Sequence, residues 1–411
     1  MTEATRWARW RRHGPERLTP ALAVVLACFF LVPSGKGLNN SYYALVLAPA
    51  LLMVRFRDWS WLAGQRLGMA VVALLGYLTV SGWWSVGVSA GEWWHEAKAL
   101  PYLLVYLATL ACVVARRPDS WERALRFVML AAAAGTLISI ALFYQGQPWS
   151  ARLRYHGPVY NPNEAAMMLG VCLLVVVFHV LPAARQRVMW VGVALILFGG
   201  VVLTGSRMPL AAVLASAGLG GVLLGRWRLL AGVTAATLAV VTLLLVSGHG
   251  VERLLQRGDS YRLAVWQSVA ERIAQRPWSG EGALTDDSVQ VPARAPRRGM
   301  YLVEHPHNIY LSTTLYGGVP ALALLICVLL FAAQTAWGLA AGGRPAWLLA
   351  LTFSALCMMT DGARLLNSPQ GIWFYFWLPV GVLLGYRLRP AIGGASDAAP
   401  GAWPASVDRS E

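Results

Sequence analysis

Two histidines and a carboxylate stand side by side in Glu304-His305-Pro306-His307-Asn308-Ile309-Tyr310, where a long polar segment meets an apolar run that begins at Asn308. Imidazole is the side chain whose ordinary pKa lets it take up or release a proton near neutral pH. Asn308 is a helix-capping residue type, so the pattern predicts a helix from Ile309 with His307 beside its exposed N–H groups. That positive helix end favours the neutral imidazole, which can accept a proton. Pro306 fixes the backbone between the rings, so His305 and His307 need not point together, and either can serve as the base. Glu304 or another carboxylate could orient one ring nitrogen. Spacing alone leaves open a solvated interfacial pair. A zinc site is disfavoured, because no third ligand stands at helical spacing.

Arginines supply the second chemistry. A guanidinium binds phosphate oxygens bidentately and stays charged at any physiological pH. Arg207 lies in the turn Leu203-Thr204-Gly205-Ser206-Arg207-Met208-Pro209, Arg262 stands four residues before Trp266, and Arg152 and Arg154 precede Asn161-Pro162-Asn163. Several guanidiniums converging could hold a diphosphate without a metal ion. Each one alone also suits anchoring to lipid headgroups. Arg207 is the exception, since a tight turn between apolar runs offers little reason to place a charge. Asn161-Pro162-Asn163 suits a cap and turn, with Asn163 a supporting contact. The segment Gly91-Glu92-Trp93-Trp94-His95-Glu96-Ala97-Lys98 reads as an interfacial aromatic belt, and Lys98 is a second-tier contact.

The elements that must position these groups are lipid-embedded. The 411 residues are 57% hydrophobic and only 13% charged, with mean hydropathy +0.53, whereas a soluble domain carries about 25% charged residues. Apolar runs fall near 18–33, 40–54, 67–86, 97–115, 125–144, 164–181, 188–204, 208–224, 228–247, 308–334, 346–361 and 370–386. The composition therefore predicts an all-α polytopic membrane protein with about twelve transmembrane helices; the first two runs also fit one re-entrant pair. Arg6, Arg9, Arg11, Arg12 and Arg17 precede the first run in the manner of a signal-anchor. With the N-terminus cytoplasmic, 20 of the 34 basic residues share its side; of the other 14, eight lie in the long loop 248–306. Long loops obey the positive-inside rule poorly, so 20 against six sets the orientation. The loop and its histidines then lie outside the cytoplasm, and the C-terminus inside.

Residues 1–389 read as one transmembrane catalytic domain, with loop 248–306 inserted between the ninth and tenth runs. Within the loop, Asp259-Ser260 suits an N-cap, and Leu263, Trp266, Val269, Ala270 and Ile273 repeat at helical spacing. Residues 285–300 read as a flexible flap, and the Ala/Gly/Pro/Ser-rich 390–411 as a disordered cytoplasmic tail. The net charge of +15 belongs to topology rather than to nucleic-acid binding. The five cysteines lie in apolar runs as small hydrophobes. Few acids lie within any run, which argues against a proton-coupled transporter or lipid-linked glycan flippase.

In order along the chain, Arg154 with Gly157 and Asn161-Pro162-Asn163, Leu203-Thr204-Gly205-Ser206-Arg207, Arg262-x3-Trp266, Pro277-x2-Gly280-x-Gly282 and His307-Asn308 with Gly318 resemble the O-antigen ligase and polymerase superfamily of bacterial envelope proteins. The resemblance covers roughly residues 150–330. Ala321 departs from the Gly, Thr or Tyr that ligases of this family show there, which keeps the polymerase alternative open. The resemblance implies a helical fold like that of other lipid-linked (GT-C-type) glycosyltransferases in the bacterial inner membrane, with a periplasmic active site. It implies transfer of an O-antigen glycan from undecaprenyl diphosphate to lipid A–core in lipopolysaccharide biosynthesis, without cofactor or metal and with inversion at the anomeric carbon. On that reading His307, with His305 as its rival, is the general base, and Arg207, Arg262 and Arg154 hold the diphosphate. Asn308, Asn163, Glu304 and Lys98 support them.

Overall fold

The computed structural model describes residues 14–53, 64–246, 261–292, 300–362 and 364–392. In chain order its helices are α1 (Thr19–Leu31), α2 (Gly35–Tyr42), α3 (Ala48–Met53), α4 (Arg66–Ser81), α5 (Ala90–Ala97), α6 (Ala99–Arg116), α7 (Pro118–Tyr144) and α8 (Pro162–Val175). Then come α9 (Arg187–Leu203), α10 (Arg207–Leu223), α11 (Trp227–Val246), α12 (Arg262–Gln275), α13 (Ile309–Ala341), α14 (Ala346–Met358) and α15 (Leu378–Ile392). Strands β1 (Val289–Pro292) and β2 (Met300–Val303) lie between α12 and α13.

Each of the twelve apolar runs overlaps a described helix, although runs such as 18–33 and 346–361 extend beyond its end. Among the described residues, five helices are long and apolar enough to cross a membrane: Arg66–Trp84, Ala90–Arg116, Pro118–Tyr144, Pro162–Ala183 and Ile309–Ala341. The molecule is thus a mostly helical polytopic membrane protein, and the expected twelve spans go beyond these five. Arg187–Leu203, Arg207–Leu223 and Ala346–Met358 are apolar helices too, but shorter. Large apolar side chains face outward, Val188 at 89% and Leu195 at 65% exposure, as a lipid-facing wall requires. Inside, α6 packs along α15, α1 along α7, and α4 along α13, while α8, α10 and α14 pack on one another. Close approach of α6 and α15 depends on Gly381 and Gly385, where a side chain would collide with Leu110 and Val114.

The feature that positions the site is a break in α13. Gly317 and Gly318 leave helical geometry, Gly318 with φ 67°, and Pro320 follows. A break of this kind frees carbonyls of the preceding turn, which must find other donors. The loop supplies them: the Glu281 and Gly282 amides donate to the carbonyls of Leu315 and Tyr316 at 2.7 and 2.8 Å. In return the Val319 amide donates to the Pro277 carbonyl at 2.7 Å, and the Tyr77 hydroxyl to the Gly317 carbonyl at 3.0 Å. Gly280, at φ 65°, lies so close to the Tyr316–Gly317 backbone that a Cβ would overlap it. The Pro277-x2-Gly280-x-Gly282 motif is therefore a docking clip for the kinked helix.

The described part of the long loop is built, not slack. α12 runs Arg262–Gln275; its cap position is Tyr261, at φ 66°, and Asp259-Ser260 lie outside the described residues. Residues 285–300 were expected as a flexible flap, and the chain as all-α. Instead β1 and β2 pair antiparallel, Val289 opposite Val303, so the fold adds one two-stranded sheet. The alternation that drives it is short: Val289, Val291 and Val303 turn inward onto Val265 and Val269 of α12 and Leu315 of α13. Arg272 holds the base of this unit, its Nε donating to Glu281 at 3.0 Å and its Nη2 to the Asp286 carbonyl at 2.8 Å. Residues 293–299 and, of the expected tail 390–411, residues 393–411 lie outside the described residues, while 390–392 belong to α15 rather than to a disordered tail.

Candidate active site

His307 sits at the mouth of α13, one residue before the cap. Asn308 accepts from the Tyr310 and Leu311 amides at 3.0 and 3.1 Å, which fixes the chain as it enters the helix. His307 itself has φ 52°, a conformation that an L side chain adopts only when the surroundings hold it. Trp266 of α12 provides one hold by donating to the Pro306 carbonyl at 2.9 Å. The other is Asp361, 54 residues further on, whose Oδ1 lies 3.1 Å from His307 Nδ1.

Asp361 is almost fully buried and also accepts from the Gly362 amide at 2.8 Å. Burial alone would raise its carboxyl pKa. The hydrogen bond and charge of His307, together with the Gly362 amide, outweigh burial and hold it below the usual carboxylate range. An ionised Asp361 can only accept, so Nδ1 carries the proton and Nε2 is left as the basic nitrogen. His305 packs against His307 with ring centres 4.0 Å apart. Burial, and then the neighbouring His307, lower its pKa from the ordinary imidazole value.

Across from His307 lies the turn between α9 and α10. Thr204-Gly205-Ser206 reverses the chain with Gly205 at φ 59°, and Arg207 becomes the first residue of α10. Arg207 thus stands at a helix N-terminus, the positive end of the helix dipole, which favours an anion. Arg152 fastens this turn. Its Nε donates to the Thr204 carbonyl at 2.8 Å, and its Nη2 to Asn163 Oδ1 at 3.0 Å and Ser206 Oγ at 3.1 Å. Ser206 Oγ donates to the same Asn163 oxygen at 2.9 Å, so Asn163 at the start of α8 is tied to the start of α10. Arg262 comes in on α12, one helical turn before the Trp266 that holds Pro306.

These groups line one cavity of about 220 Å³, shared by Arg152, Asn163, Ser206, Arg207, Arg262, His307 and Asp361. Guanidiniums and an imidazole held by a carboxylate can bind an oxyanion and move a proton beside it. Residues 191–326, which contain Arg207, Arg262 and His307, match the family described as O-antigen ligase. Over those residues the chain is similar to the O-antigen ligases. It is also 29% identical over 404 residues to the O-antigen ligase of Pseudomonas aeruginosa, covering 93% of this chain and 95% of that protein.

Within the matched stretch and its flanks, the residues singled out by spacing separate. His307, Arg207, Arg262 and Asn163 meet in the cavity. His305 is not among the cavity residues but lies against His307, its ring tilted by 49°, and Asn308 acts as the helix cap. Arg154 lies elsewhere: its Nη1 donates to the Tyr160 hydroxyl at 2.9 Å and its guanidinium sits over the Tyr160 ring. Arg152, two residues away, takes the cavity position. Glu304 is exposed, and the carboxylate on the imidazole is Asp361. Lys98 lies at the α5–α6 junction, its Nζ 3.4 Å from His95 Nδ1, and does not line the cavity.

Asp361 carried no local signal, because it is a lone acid after an apolar helix. It also removes the spacing argument against a metal: ligand atoms of His305, His307 and Asp361 all fall within 4.8 Å of one another. The set of two imidazoles and one carboxylate is chemically able to hold a divalent cation.

Proposed function

We propose that this protein is a membrane glycosyltransferase of lipopolysaccharide biosynthesis that joins an O-antigen glycan, carried on undecaprenyl diphosphate, to a hydroxyl of lipid A–core at the periplasmic face of the inner membrane. The observation that carries the reading is the single cavity in which Arg207 and Arg262 meet a His307 held by Asp361. His307 Nε2 takes the proton from the acceptor hydroxyl as its oxygen attacks the anomeric carbon. The bond from that carbon to the diphosphate breaks, and the electron pair leaves with undecaprenyl diphosphate. Arg207, Arg262 and the N-terminus of α10 stabilise the charge that develops there. Arg152 holds Asn163 and Ser206, and through them sets where Arg207 stands. Attack from the side opposite the leaving group inverts the anomeric centre. A positioned base contributes about 10²–10⁴-fold, and the donor already carries its leaving group.

The relative that aligns along 93% of the chain is named a ligase, which favours that reading over the polymerase. The metal reading rests on the ligand cluster of His305, His307 and Asp361. Deletion of the protein, followed by gel analysis of envelope glycolipids, separates the functions. Ligase loss leaves bare core with long glycan stranded on its carrier. Core capped by a single repeat would point to the polymerase, and unpolymerised donor held inside to a flippase. Complementation with His307→Ala should leave the ligase defect intact although the protein inserts; restored transfer would remove His307 from the mechanism.

A further inference from the structure

The helices that present the catalytic groups at one end build a second cavity at the other. α8 starts at the Asn163 end and continues through the turn Val176–Val180, while α10 starts at Arg207 and α13 just after His307. Their far ends come together with the start of α7 around a cavity of about 440 Å³. Arg126, Arg226 and Arg344 line it, each from a different element. Among the described residues its only acid is Glu122, and both oxygens of that carboxylate lie 2.9 Å from His179 Nε2. Three guanidiniums therefore face one carboxylate that an imidazole already engages. Arg126 Nε is buried without a hydrogen-bond partner among the described residues. The rest of the wall is apolar, with Phe178, Pro182 and Leu224.

Positive charge near helix ends serves topology wherever it lies, so arginine count alone would mean little. Here the arginines line a concave site with an apolar flank, a shape and polarity that match a phosphodiester attached to acyl chains. A free polar anion would have no use for the apolar wall. We propose that this cavity binds the headgroup of an anionic phospholipid, which clamps the far ends of α8, α10 and α13 and so holds the helices that carry the catalytic groups.

The test uses the full-length protein in mild detergent, with native mass spectrometry and thermal unfolding during titration with phosphatidylglycerol, phosphatidylcholine or inorganic phosphate. Phosphatidylglycerol should bind and stabilise, and phosphatidylcholine should not. Each arginine near a lipid surface contributes about fivefold, so R126Q/R226Q/R344Q should weaken phosphatidylglycerol binding about a hundredfold. R226Q alone, whose side chain is exposed, should still fold and bind about fivefold more weakly. R117Q/R123Q, outside the cavity, should bind as wild type does. Equal binding of both lipids, or undiminished phosphatidylglycerol binding by R226Q and the triple variant, would overturn the proposal. Stabilisation by inorganic phosphate equal to that by the lipid would overturn the lipid as occupant.

Discussion

A histidine whose Nδ1–H donates to a buried carboxylate differs from a solvated one in which nitrogen remains to react. For this reason Asp361→Asn, which keeps the shape but removes the charge, is expected to lower turnover by at least about 10²-fold with little change in donor binding. Unchanged turnover would mean that the 3.1 Å contact has no part in the reaction. Arg207→Lys should cost about tenfold or more, because a point charge cannot replace a bidentate fork; single-turnover transfer rates decide this. His305 predicts a pH effect on stability. Its folded pKa lies below the ordinary value of about 6.5, so the unfolded chain binds more protons in that window. Stability should be full above about pH 6.5 and fall as pH drops toward the folded pKa. Asp361 shifts the same way, but its contribution is lost only below the usual carboxylate range, well outside this window. Unfolding temperatures from pH 5 to 8 should therefore flatten in His305→Gln, and an unaltered slope would contradict the assignment. His307, Arg207 and Arg262 were all legible as residue types. Their partners were not, since Asp361 and Arg152 look like any other acid and arginine until the chain is folded.

At the level of elements, the long loop and the kinked α13 act as one unit. Glu281 and Gly282 satisfy carbonyls that the Gly317-Gly318 break exposes, and Arg262 and Trp266 ride on the helix packed beside them. Gly280→Ala adds a side chain at φ 65° against the Tyr316 backbone, a combination costing about 2 kcal/mol or more. The loop should undock, with at least about tenfold lower transfer and faster proteolysis within 261–306 while the apolar helices stay folded. Wild-type proteolysis in that variant would refute the clip. Helix α12 was readable because its apolar residues repeat over a whole helix. The β1–β2 hairpin was not, since its alternation is only four residues long per strand, and Val289, Val291 and Val303 are recognisable as inward only once α12 lies over them.

On the scale of the molecule, the cluster of His305, His307 and Asp361 sets the remaining test of mechanism. Transfer should persist in excess chelator, with no stimulation on adding back zinc, magnesium or manganese; strict metal dependence would replace the dyad with a metal centre. Hydropathy is local, so the run of residues alone determined that the chain is a helical membrane protein, and it marked the arginine and histidine motifs that resemble those of the O-antigen ligases. Motif order also survived, because each motif sits at a helix end or loop that its own residues create. Tertiary packing decided the rest. It brought Asp361 to His307 across 54 residues, placed Arg152 rather than Arg154 in the cavity, and folded part of the loop onto the break in α13. Those pairings depend on which helix ends meet when α8, α10 and α13 pack with the 360–362 turn. Side-chain spacing along one helix carries no record of that meeting.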